Sequence, residues 1–196
     1  MNPDRIVDPR SQPLATPKWR GALPHIYKEG CTYFVTFNLI DAVPDLLKQR
    51  RRLEADDDPQ TVARKFDPPP STGRCLLRDP RAAAIVEDSL LHFQGERYAL
   101  SAWCVMHNHV HAVVTPYAEW DLSKILHSWK SFSAQEINKI LGRTGAVWEK
   151  ESFDHLVRSE RAFENFVLYT ENNPVNAGFC GIADMWPFSS ARYRDQ

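Results

Sequence analysis

Neither sign of charge is in excess in this 196-residue sequence: Lys+Arg number 24 and Asp+Glu 25, a formal net charge of -1. A polyanion would meet no global attracting field, so any nucleic-acid site must be a local patch. Cysteine is sparse, and Cys31, Cys75, Cys104 and Cys180 form no CxxC pair. That argues against a zinc knuckle or disulfide framework and for reduced thiols in a cytoplasmic protein. No GxxxxGK[ST] loop is present, so nothing points to a nucleoside triphosphate. The stretch from Tyr98 to Ala118 lacks Asp, Glu, Lys and Arg. Asn108 and three histidines inside it make a membrane span too costly. The opening MNPDRIVDPRSQPLATPKWR has acids and prolines but no apolar h-region, unlike a secretory signal.

What is present reads as one globular domain of 29–196, with 43% hydrophobic and 25% charged residues overall. Residues 1–28 carry Arg5, Arg10, Lys18, Arg20 and Lys28 among prolines, without periodicity, and are expected to form a basic arm. CTYFVTFNL, from Cys31 to Leu39, predicts a buried strand, and a helical stretch is expected around Leu46 to Leu53. At about 51–74, charges and the run Pro68, Pro69, Pro70 mark an exposed insertion.

Asp79 followed by Pro80 predicts a helix start, with Ile85, Val86, Ser89, Leu90 and Phe93 on one face. Arg97 to Trp103 reads as a strand, and Cys104 to Val114 as a second strand or its continuation through a turn near His107 and Asn108. A long helix is predicted from the Asp121 cap to Gly142, its apolar face including Leu122, Ile125, Leu126, Trp129, Phe132 and Ile137. A last helix runs from the Ser159 cap to Asn173, packs through Phe163, Phe166, Val167 and Thr170, and stops at Pro174. The order of elements predicts an α+β fold, an antiparallel sheet covered on one face by helices.

The chemistry concentrates in the run His107-Asn108-His109-Val110-His111. On a strand alternate side chains share a face, so His109 and His111 sit about 6.6 Å apart along the backbone and can converge on one metal ion. His107 has the same parity but would lie about 13 Å from His111 on an ideal strand, too far for the same ion unless the chain bends. Core or surface histidines with satisfied hydrogen bonds are the bland alternative. On the last helix, at about 100° per residue, Asn165, Tyr169 and Asn173 form one stripe offset from the packing face. A phenol and a carboxamide one turn apart can therefore address the same site.

Between Leu23 and Arg192 the chain resembles the REP-associated tyrosine transposases, within the HUH group of single-strand DNA nucleases. The resemblance is carried by TYFVTFNL, CVMHNHVHAVV, LSKILHSWKSFSAQEIN, VWEKESFDHLVRSE, YTENNPVNAG and WPFSS, in that order. It implies a ferredoxin-like or RRM-like HUH nuclease fold, His109 and His111 as metal ligands, Tyr169 as nucleophile and Asn173 as third ligand. The sequence departs from the family pattern at His107 (commonly proline), Glu149 (glutamine) and Asn176 (a basic residue).

The implied activity is single-stranded DNA cleavage and rejoining near hairpins by a cytoplasmic, nucleoid-associated enzyme. It would proceed through a 5'-phosphotyrosine, with Mg2+ or Mn2+ polarising the scissile phosphate. Lys124, Lys130, Arg143, Arg192 and Arg194 are the candidate phosphate contacts, a solvated face being the alternative for each. Trp148, Phe153 and Trp186 are candidates to stack bases or to pack. Two other functions fit the same residues: a catalytically silent hairpin-DNA-binding regulator, and a metal-dependent hydrolase that activates water. A monomer and a homodimer are equally compatible with the sequence.

Overall fold

The computed structural model describes residues 18–20, 23–25, 30–42, 61, 64 and 67–194. The helix expected around 46–53, most of the 51–74 insertion and most of the basic arm lie outside the described residues. Within the arm, strands β1 (Lys18–Arg20) and β2 (Leu23–His25) pair antiparallel.

The main sheet contains β3 (Tyr33–Asn38), β4 (Tyr98–Val105), β5 (His109–Pro116) and β6 (Phe153–Leu156). Their order across the sheet is β4-β5-β3-β6, with every neighbour antiparallel. Helix α1 (Pro80–Leu91) connects β3 to β4, helix α2 (Leu122–Ile140) connects β5 to β6, and helix α3 (Glu160–Asn176) follows β6. The β-α-β-β-α-β order in an antiparallel sheet is the ferredoxin-like arrangement expected from the sequence. The ambiguous stretch around His107 resolves into a hairpin, since β4 ends at Val105 and β5 begins at His109.

The two sheet faces are covered differently. Tyr33, Val35, Phe37, Val110, Ala112 and Val114 join Val86 and Leu90 of α1 and Ile125, Trp129 and Ile137 of α2 in the larger core. Trp129 is 1% exposed; its Nε1 donates to Tyr98 Oη at 2.8 Å, and that hydroxyl donates to the Leu90 carbonyl at 2.8 Å. Burying the indole N–H with a partner keeps the gain from its apolar surface. The opposite parity carries Phe34, Ala102 and Val113, which pack with Phe166, Val167 and Tyr169 of α3.

The sequence expectation of helices on one face is therefore corrected. All eight residues of β5 are buried, as a strand sandwiched between layers requires, whereas a strand open to water on one side would show buried and exposed positions in alternation. A bulge between Leu100 and Ala102 switches the parity of β4, so that Tyr98 and Leu100 before it and Trp103 and Val105 after it face the same core. Phe132, predicted to face the core, is 52% exposed.

Helix ends follow local chemistry. Asp79 accepts from Arg81 N at 3.0 Å with Pro80 at the first position of α1, and Ser159 Oγ accepts from Ala162 N at 3.1 Å at the start of α3. Pro174 does not end α3, contrary to the sequence expectation; it lies inside the last turn, and the helix runs to Asn176. Gly178, at φ +73°, closes it: Gly178 N bonds the Val175 carbonyl and Phe179 N the Pro174 carbonyl, both at 2.9 Å. This Schellman closure satisfies the last carbonyls and keeps Asn173 helical.

Candidate active site and metal centre

β5 turns His109, His111 and Val113 toward α3, and β3 places Thr36 opposite His111 and Asn38 opposite His109. His109 is 1% and His111 0% exposed. Their Nε2 atoms lie 3.0 Å apart. Each ring is held through its other nitrogen: His109 Nδ1 meets Asn108 Oδ1 at 2.8 Å, and His111 Nδ1 meets Thr36 Oγ1 at 2.9 Å. Asn108 Nδ2 donates to the Pro69 and Thr72 carbonyls, at 2.9 Å each, so its Oδ1 must accept and His109 Nδ1 carries the hydrogen. His109 Nε2 is thereby left as a lone pair facing the cluster, the tautomer a metal ligand needs. Burial, with His111 beside it, pushes the His109 pKa down to about 3, so the ring stays neutral.

α3 brings Tyr169 and Asn173 over these rings, and Phe34 wedges them in place. Phe34 stacks on His111 at 5.5 Å between centroids and on Phe166 at 4.6 Å, and meets Tyr169 edge-on at 6.0 Å. The Tyr169 ring lies 5.7 Å from that of His111. Asn173 Nδ2 lies 3.2 Å from His111 Nε2. His109, His111, Tyr169 and Asn173, which sequence spacing singled out, thus meet at one place. His107 lies in the β4–β5 turn, its ring 4.4 Å from Phe179 and 5.3 Å from Trp186.

Asp67 is the member that sequence reasoning missed. Its Oδ2 accepts from the Tyr169 hydroxyl and from Asn173 Nδ2 at 3.1 Å, and its Oδ1 approaches His111 Nε2 to 3.2 Å. Ligand atoms of Asp67, His109 and His111 all lie within 4.8 Å of one another. Burial opposes ionisation of Asp67, but His111 and His109 outweigh it and hold the carboxyl below the usual range. Burial, and then the Asp67 carboxylate, raise the Tyr169 phenol above its ordinary value. The insertion at about 51–74 was expected to be exposed, yet Pro68 is buried and Asn108 clamps the Pro69 and Thr72 carbonyls. The available signal was an acid directly before a stiff triple-proline run.

The fit to a cation can be tested on distances. Ligands at adjacent corners of an octahedron with bonds of about 2.1 Å are about 3.0 Å apart. The 3.0 Å and 3.2 Å separations match that edge, and two imidazoles with an oxygen donor leave positions open for phosphate and water.

The five candidate phosphate contacts lie elsewhere. Lys130 Nζ donates to the Lys150 carbonyl and Ser152 Oγ, at 3.1 Å each, and burial pulls its pKa down to about 8 despite Glu149 and Glu151. Arg143 Nη2 donates to the Ala146 carbonyl at 3.2 Å. Arg192 Nη2 pairs with Glu87 at 3.0 Å, and Arg194 Nε with Glu171 at 2.6 Å. Lys124, with its side chain 67% exposed, approaches Asp121 only to 3.8 Å. Trp148 and Phe153 are buried, and Trp186 is half-buried with its Nε1 bonded to the Val105 carbonyl.

Residues 84–172, from α1 through Asn172, match the family model described as "Transposase IS200 like". That match spans the sheet strands β4 and β5, helix α2, β6 and most of α3. The chain is 27% identical over 94 residues to the REP-associated tyrosine transposase of Escherichia coli (strain K12), covering 47% of this chain and 54% of that protein. A Haemophilus influenzae protein provisionally given the same name is 24% identical over 109 residues, covering 50% of this chain and 60% of the relative. The chain thus spans little more than half the length of these curated relatives. A solved REP-associated tyrosine transposase bound to a REP hairpin superposes with a TM-score of 0.54 at 21% identity, covering 90% of this chain and 83% of that one. At that identity the likeness speaks for the fold alone, and this chain shares its α+β architecture. Among the described residues no helix is long and apolar enough to cross a membrane.

Proposed function

We propose that this protein is a metal-dependent single-strand DNA endonuclease and strand transferase that acts beside DNA hairpins, with Tyr169 as nucleophile and Mg2+ or Mn2+ as cofactor. One observation carries the reading: a single carboxylate, Asp67, touches the Tyr169 hydroxyl and His111, next to His109. The putting together of a phenol with a pair of oriented imidazoles is what attack on a phosphodiester requires. A divalent cation at His109 and His111 would draw charge from the scissile phosphate's oxygens.

This chain's own groups do the rest. Asn108 and Thr36 fix the two imidazole rings, and Phe34 fixes the direction of the Tyr169 ring. Tyr169 Oη gives up its proton and bonds to phosphorus, and the bond from phosphorus to the 3'-oxygen breaks. The products are a 5'-phosphotyrosine and a 3'-hydroxyl, the oxygen taking a proton. Reversal by a 3'-hydroxyl of the same or another strand rejoins DNA without an external energy source. Asn173, one turn beyond Tyr169 and with Nδ2 3.2 Å from His111 Nε2, would help to hold such a cation through its amide oxygen if the amide rotated. Lys124 is the exposed candidate for a DNA phosphate. The E. coli relative's name and the hairpin-bound neighbour favour hairpin DNA as substrate.

The test is incubation with labelled hairpin DNA carrying a single-stranded flank, in Mn2+, followed by denaturing electrophoresis. A covalent protein–DNA adduct is expected from the native chain and none from Tyr169→Phe, which removes one hydroxyl and keeps the ring that packs on Phe34. Cleavage without an adduct would favour water as nucleophile, and binding without cleavage a silent regulator.

A further inference from the structure

We propose that Asp67, from the inserted loop, is an anionic ligand of the metal that His109 and His111 hold. The inference rests on the metal site proposed above and assigns it a donor from outside residues 84–172, the span that matches the family model.

Three observations carry it. The first is an orphan: Asp67 Oδ1 is buried and makes no hydrogen bond among the described residues, its contact with His111 Nε2 at 3.2 Å being a close approach only. A buried carboxylate oxygen without a donor is costly, and a cation is the partner that would satisfy it and the His109 lone pair together. The second is delivery. Asn108, in the β4–β5 turn directly before His109, fixes His109 through Oδ1 and grips the Pro69 and Thr72 carbonyls through Nδ2. Pro68 is buried, and Gly73, at φ +78°, lies so close to Asp41 that a Cβ would come within 2.5 Å of the Asp41 carbonyl oxygen. The loop is therefore keyed to the histidine motif on one side and to the end of β3 on the other.

The third is the division between the two carboxylate oxygens. Oδ2 is occupied by the Tyr169 hydroxyl and Asn173 Nδ2, whereas Oδ1 is turned to the imidazoles. Asp67 can thus bind a cation through Oδ1 and orient the nucleophile through Oδ2. Two imidazoles with an amide make a neutral donor set. Adding a carboxylate shifts the site toward the oxygen-seeking cations Mg2+ and Mn2+.

The test is calorimetric titration of Mn2+ into the full-length, metal-free chain, a readout independent of activity. Asp67→Asn, which keeps size and an oxygen but loses the charge, is expected to weaken the Mn2+ Kd at least tenfold; Asp67→Glu should retain more affinity than Asp67→Asn. Tyr169→Phe, which touches only the Oδ2 side, should stay within about threefold of the native chain, and circular dichroism checks that each variant is folded. An Asp67→Asn Kd equal to that of the native chain would overturn the assignment while leaving the two-histidine site standing. No Mn2+ binding by the native chain would overturn the metal site and this ligand together.

Discussion

Asn173 turns its amide nitrogen toward the cluster, where Nδ2 donates to Asp67 Oδ2 at 3.1 Å. An amide's terminal torsion is broad, so rotation exchanging nitrogen for oxygen costs little once a cation replaces that hydrogen bond. If Asn173 completes the coordination, Asn173→Ala should raise the Mn2+ concentration for half-maximal cleavage about tenfold. Asn173→Asp has a more telling outcome. In the metal-free chain it sets a second carboxylate against Asp67, and like charges at that distance repel. The variant should melt at a lower temperature without metal and regain the loss when Mn2+ is added, which thermal denaturation with and without the ion would show. An unchanged metal midpoint in Asn173→Ala would remove Asn173 from the ligand set.

At the level of elements, the parts of the site that were legible in the sequence are those whose geometry is periodic. His109 and His111 share a face because a strand repeats every two residues, and Tyr169 and Asn173 align because a helix nearly repeats every four. Asp67 was not legible. No period governs its loop, and its position depends on Asn108 reaching 39 positions back in the chain to the Pro69 carbonyl. The end of α3 was misjudged because proline was weighed as a breaker, although in a last turn it forfeits only one backbone bond. The residue that ends the helix is Gly178, where an added Cβ would meet nothing within 4 Å and only the φ of +73° is demanding. Gly178→Ala should therefore cost about 1 kcal/mol, from conformational strain alone. In a chain of this size that is a fall in Tm of about 2–4 °C. A Tm unchanged by the substitution would mean that the closure relaxes and does not hold Asn173 in register.

Across the whole molecule, the near-zero net charge would leave attraction for DNA to a few cations, and four of the five basic residues singled out as phosphate contacts are occupied within the protein. Arg192 and Arg194 were expected from the sequence to be phosphate contacts. Their partners Glu87 and Glu171 are 6% and 4% exposed, on α1 and α3 respectively. Glu171 also accepts from Ser190 Oγ at 2.7 Å, and Glu87 from Trp103 Nε1 at 2.9 Å. The signal was present in the acids: each sits among buried neighbours on its helix, where an unpaired carboxylate would be expensive. The pairs therefore clip the C-terminal turn Ser190–Tyr193 across β4 to helices on both faces of the sheet. Arg194→Gln leaves Glu171 buried with only a serine, which should cost roughly 2 kcal/mol, below the roughly 3–5 of a fully buried broken pair because the arginine is half exposed. A phosphate contact predicts something else. Each cation that neutralises a phosphate adds about 0.9 to the slope of log affinity against log salt. Hairpin binding measured at several salt concentrations should keep the native slope in Arg194→Gln while Tm falls, whereas Lys124→Gln should flatten the slope by about 0.9 with Tm unchanged. If Arg194→Gln flattens the slope and leaves Tm intact, the arginine leaves Glu171 for DNA and the clip is not what stabilises the tail.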